Sequence, residues 1–79
     1  MKNYHIIKVT YLGATNNKGS RVKMYSERFL KSKTIPFNHG IGNILEIAKN
    51  YLLRNGFEII GQAEGKDSDY IITETFKEL

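Results

Sequence analysis

Eight of the twelve Lys and Arg side chains fall within the first 35 residues: Lys2, Lys8, Lys18, Arg21, Lys23, Arg28, Lys31 and Lys33. They face a single acid there, Glu27, for a local net charge of +7. Residues 36–79 carry four Lys/Arg against seven Asp/Glu, a net of −3, which leaves +4 for the chain. Lys and Arg neutralise phosphates and release counterions, so the chemistry open to the first half is recognition of a polyanion. The spacing adds to this. Arg21, Lys23 and Tyr25 alternate with Val22 and Met24, and Lys8 and Thr10 alternate with Ile7, Val9 and Tyr11. A period of two puts each set on one face of a strand. If the apolar sets pack inward, the cations and Tyr25 gather on a common outward surface. An aromatic ring among cations on a sheet face can stack on an unpaired base. The sequence therefore predicts a small non-enzymatic module that binds DNA or RNA through a basic β-hairpin. Its candidate contacts are Lys8, Lys18, Arg21, Lys23, Tyr25, Arg28, Lys31 and Lys33. The competing reading is a solvated sheet face, on which the same charges serve solubility and guard an edge.

Other chemistry is weakly represented. Residues 13–21 contain Lys18-Gly19-Ser20-Arg21, whose backbone N–H groups can form a nest for one phosphate group. They lack the Walker pattern and run into a strand, where that motif runs into a helix. The plain reading is a polar hairpin loop. Arg28, Lys31 and Lys33 flank a turn and, with Ser32 and Thr34, offer a second line of phosphate contacts or simply protect an edge strand. His5 and His39 are the only histidines and there is no cysteine. That excludes disulfides and thiolate metal sites and gives no set of three or four metal ligands, so no metal or cofactor is expected. Glu64, Asp67 and Asp69 crowd one short loop with Gly65. This is turn composition, without the twelve-residue Ca²⁺ pattern. No nucleophile–base pair or carboxylate pair stands out, and a chain this short has little room for a cleft, so an enzyme is not expected.

The elements that must position these residues follow from periodicity. Residues 4–12 and 21–29 read as strands that pair as a hairpin, and residues 32–37 as a short third strand. Pro36 has no N–H to donate, so that strand belongs at an edge. Ile44, Ile47, Ala48, Tyr51 and Leu52 recur at three- and four-residue spacing, one buried stripe of a helix that begins at residues 41–43 and ends at Asn55 before Gly56. Glu46, Lys49, Asn50 and Arg54 fall on its wet side. Residues 57–63 and 70–76 read as the last two strands. Phe57 and Ile59 face inward in the first, and Gly61 marks a bulge or close neighbour. In the second, Tyr70, Ile72 and Phe76 share one face and Thr73 and Thr75 the other. The fold class is α+β: a two-layer β-β-β-α-β-β domain over residues 1–79, with a mostly antiparallel sheet, one helix packed on one face and the other face partly bare. With 41% hydrophobic residues and nine aromatics, the composition is that of a folded globule. A chain of this size buries about 60–65% of its unfolded surface, enough for one thin core. No apolar run reaches the roughly 18–20 residues that span a bilayer. Residues 1–8 carry Lys2 and Lys8 and do not read as a signal peptide, so a cytoplasmic location is expected.

Residues 11–23 (Tyr-Leu-Gly-Ala-Thr-Asn-Asn-Lys-Gly-Ser-Arg-Val-Lys) and Lys33-Thr34-Ile35-Pro36 resemble small proteins encoded by bacteriophages and bacterial mobile elements. The resemblance covers about half of the chain and carries no assigned site residue. It implies a bacterial or phage cytosolic protein. It also raises an alternative to nucleic acid: a protein-interaction module that regulates a host protein, docking an acidic surface or pairing through a sheet edge.

Overall fold

A computed structural model describes residues 4–74. Its elements run β1 (His5–Leu12), β2 (Arg21–Ser26), β3 (Lys31–Pro36), α1 (Ile44–Arg54), β4 (Ile59–Glu64) and β5 (Asp69–Thr73). The strands form one sheet in the order β3-β2-β1-β5-β4, and every neighbouring pair is antiparallel. The architecture is α+β, with the helix packed on one face of the sheet. β3 is an edge strand ending at Pro36, where a missing N–H costs no ladder bond. Among the described residues no helix is long and apolar enough to cross a membrane.

Alternation sets the core. Val9 opposes Met24 across β1 and β2, and Ile7 opposes Ile71 across β1 and β5. These four side chains and Val22 are wholly buried beneath Leu45, Ile47, Ala48 and Leu52 of α1 and the following Phe57. Each large aliphatic side chain so buried contributes roughly 1.5–3 kcal/mol. The helix is held at both ends. The Asn43 side chain accepts hydrogen bonds from the N–H groups of Leu45 (2.9 Å) and Glu46 (3.3 Å), capping two orphan donors. At the other end Gly56 takes φ 84°, and the N–H groups of Phe57 and Gly56 donate to the carbonyls of Leu52 (3.0 Å) and Leu53 (3.2 Å). This is a Schellman closure, with Leu52 and Phe57 as its buried apolar pair.

Several details depart from the sequence expectation. Leu45 is buried, while Ile44 and Tyr51 are only half-buried, so the stripe is turned toward Leu45. Lys49 is half-buried, not wet, and pairs with Glu46 at 2.7 Å. β2 stops at Ser26 and not at Phe29. There the Ser26 hydroxyl accepts a hydrogen bond from the Phe29 N–H at 3.4 Å, and Leu30, at φ 53°, turns the chain back. Tyr11 lies on the helix side as expected but stays 49% exposed, its ring edge-on to Phe37 at 5.5 Å. The bulge expected at Gly61 is present as a register shift between Ile59 and Gly61. On β5 the helix side takes Ile71 and Thr73, leaving Tyr70 and Ile72 on the opposite face. Thr75 and Phe76 lie outside the described residues.

Candidate functional site

The face of the sheet away from α1 is built from the residues between the core positions. Register aligns them in rows across the strands. Pro36, Arg21 and Leu12 form one row; Thr34, Lys23 and Thr10 form the next. Ser32, Tyr25, Lys8, Tyr70 and Ala63 make a third row that crosses all five strands, and Ile6 and Ile72 stand side by side in a fourth. Lys8, Arg21, Lys23 and Tyr25 therefore share one surface, because each sits one residue from a core position.

The charges on this surface are unspent. Among the described residues no ion pair engages Lys8, Arg21 or Lys23, and the Lys49–Glu46 pair lies on the helix. The Lys23 Nζ sits 5.7 Å from the centroid of the Tyr25 ring, a cation–π contact between two half-buried side chains worth about 1 kcal/mol, which a ligand can displace. The Arg21 Nε is buried without a hydrogen-bond partner. Hydroxyls of Thr10, Thr34 and Ser32 stand in the same rows, and Thr10 Oγ1 meets Ser68 Oγ at 3.1 Å. Toward the β2–β3 turn the face dips into a depression of about 280 Å³ lined by Ile6, Lys8, Tyr25, Glu27 and Tyr70.

The other predicted contacts lie elsewhere. Lys31 and Lys33 oppose Ser26 and Met24, both buried on the helix side, so their side chains leave β3 on that side. Ser32 and Thr34 alternate with them and face the opposite way, which breaks the expected second phosphate line into two. Arg28 is held in the β2–β3 turn, its guanidinium 5.4 Å from the Phe29 ring centroid. That ring in turn meets His5, a helix-side residue of β1, at 5.5 Å. Lys18 stands in the β1–β2 loop beyond the Arg21 row. In that loop the Thr15 N–H donates to the Lys18 carbonyl at 2.7 Å and the Lys18 N–H to Thr15 Oγ1 at 3.1 Å. The Lys18 N–H, one of the donors a phosphate nest would need, is thus consumed internally. Among the described residues no cluster of three or more His, Asp or Glu side chains is placed to hold a metal ion.

Tyr70, Ile6 and Ile72 belong to this face and were not singled out in the sequence. Their alternation with Ile71 and Ile7 was visible. The adjacency of β5 to β1, which brings Tyr70 opposite Lys8, comes from a long-range pairing that no local spacing reveals.

Comparison with family models, curated proteins and solved structures finds no match. The site's own chemistry carries the functional reading.

Proposed function

We propose that this chain is a non-enzymatic nucleic-acid-binding module that meets the phosphate backbone with the open face of its sheet. The observation that supports the reading is the co-facial set Lys8, Arg21 and Lys23, placed by register and unpaired with any carboxylate among the described residues. Three cations held on rigid strands meet a polyanion at little entropic cost, and Thr10, Thr34 and Ser32 add hydroxyl donors of the kind that position phosphates. Lys18 extends the charge beyond the strand ends. Fluorescence anisotropy with a labelled oligonucleotide at increasing salt tests this. Three phosphate contacts give a log–log slope of about −2 to −3. No binding at low salt to either DNA or RNA would remove the reading.

A protein partner is the second reading, favoured by one feature. α1 packs on β1, β2, β5 and β4 and does not reach β3. A groove of about 600 Å³ is left, lined by Ile35, Pro36, Ile41, Tyr51 and Leu53, with Arg54 at its rim. Beside Lys33 on the unpaired edge of β3, it fits an extended acidic segment of a host protein added as a strand. Capture of one partner that survives nuclease treatment and is lost in Leu53→Asp favours this reading. Capture abolished by nuclease favours nucleic acid.

A further inference from the structure

We infer that the nucleic acid this face takes is an unpaired strand, with Tyr25 and Tyr70 each stacking one base and Lys8, between them, holding the intervening phosphate. The inference rests on the nucleic-acid reading above and narrows it to a substrate class. Its basis is the row Tyr25–Lys8–Tyr70, in which consecutive residues sit on adjacent strands. Strands are spaced about 4.8 Å apart, so the two tyrosines stand about 10 Å apart at the backbone. Bases in a stacked helix follow one another every ~3.4 Å. Two bases seated on these two rings must therefore be splayed from each other, which a paired and stacked duplex does not allow and a single strand does.

The surroundings point the same way. Lys8 apart, the cations and the largest apolar groups of this face lie toward opposite ends of it. Arg21 and Lys23 hold one end, while Ile6, which is 51% exposed, and the adjacent Ile72 stand beside the tyrosine row at the other. A duplex laid on this surface would offer phosphates to the whole of it and leave Ile6 and both ring faces without an apolar partner. A splayed base supplies one. Glu27 lines the same depression as the two tyrosines. Its carboxylate repels a phosphate but accepts a hydrogen bond from an exocyclic amino group. That makes the Glu27 side of the depression a base site and leaves Lys8 and the Arg21–Lys23 end to the backbone.

The test uses the full chain and labelled oligonucleotides of about 12 nucleotides, within the range of known single-strand site sizes, as single-stranded DNA, single-stranded RNA and the matching duplex. The proteins are wild type, Tyr25→Ala, Tyr70→Ala and Tyr70→Phe, each checked for an unchanged thermal melt. Tyr→Leu replaces Tyr→Ala wherever the melt shifts. Wild type should bind the single strand more tightly than the duplex. Each alanine or leucine variant should weaken single-strand binding about tenfold or more, with an unchanged salt slope and unchanged duplex binding, and Tyr70→Phe should retain affinity. Single-strand binding by the tyrosine variants equal to wild type overturns the stacking assignment. If Arg21→Ala/Lys23→Ala still weakens binding in that case, the phosphate reading stands. No binding of any oligonucleotide by wild type overturns both.

Discussion

The two faces of the sheet are made from the same strands, one residue out of step, and they answer to different constraints. On the covered side Ile7, Val9, Val22, Met24 and Ile71 are all 0% exposed, and each must match the volume left by its neighbours and by α1. On the open side their chain neighbours Lys8, Lys23, Tyr25, Tyr70 and Ile72 touch no second layer among the described elements. They are half-buried among their cross-strand neighbours, so folding demands of them strand propensity and lateral packing but no fit to a second layer. Residue choice on the first face is thus accounted for by stability. Choice on the second, with its separate cationic and aromatic ends, needs an explanation from outside the fold. The comparison implies that stability and binding are separable by face.

The sharpest way to break that separation is Leu52→Ala. Leu52 is fully buried and accepts the closing bond of the helix C-terminus through its carbonyl. Removing its side chain should cost about 2–5 kcal/mol. For a chain of 79 residues, total stability is of order 4–12 kcal/mol, so the variant should lose a large share of it and unfold at a much lower midpoint in a urea titration. A loss below about 1 kcal/mol would mean that α1 is not what seals this face.

Gly65→Ala comes next. A Cβ there would meet the Ser68 carbonyl oxygen at 2.7 Å and the Tyr70 ring at 3.0 Å. The first is backbone, pinned by the hydrogen bond from the Gly65 N–H to the same oxygen at 2.9 Å. Relief requires the β4–β5 turn to shift, at a cost of about 1–3 kcal/mol. Because Tyr70 is pushed as well, binding should fall with stability here. An unchanged melting temperature would show that the turn is looser than its geometry implies. Asn43→Ala, which removes the helix N-cap, should cost about 1 kcal/mol and leave binding untouched.

How far the sequence led depended on the range of the interaction. Elements whose signal is local were legible: the 7–9 and 22–24 alternation, the Asn43 start and Gly56 stop of the helix, and the edge position implied by Pro36. The open face was half legible. Alternation grouped Lys8, Arg21, Lys23 and Tyr25 correctly, because strand parity is a local property. Parity also held the reason that Lys31 and Lys33 part from them. The two lysines alternate with Ser32 and Thr34 and share parity with Ile35, which packs against the core; the pairing of Lys33 with Met24 puts that set on the helix side. Tyr70 was out of reach for the same reason: its neighbour across the sheet is 62 positions away. That Leu45 is buried while Tyr51 packs against the core only in part was set by how the helix sits on the sheet, which propensity does not encode.

The smallest stability effect carries the most information about function. Arg21→Ala/Lys23→Ala should change stability by no more than about 1 kcal/mol per site, since neither side chain is part of the core or an ion pair and Lys23 gives up only its contact with the Tyr25 ring. The same double variant should reduce the magnitude of the salt slope by about 1–2. The matched control is Lys31→Ala/Lys33→Ala. It removes the same formal charge from the next strand, within one strand spacing of β2, but from the helix side of the sheet. If affinity follows net charge alone, the two double variants will weaken binding equally. If it follows the face, the first will lose slope and the second will keep it. Equal losses would mean that the cations act as a diffuse field, and that the alternation which sorts them has no bearing on what they bind.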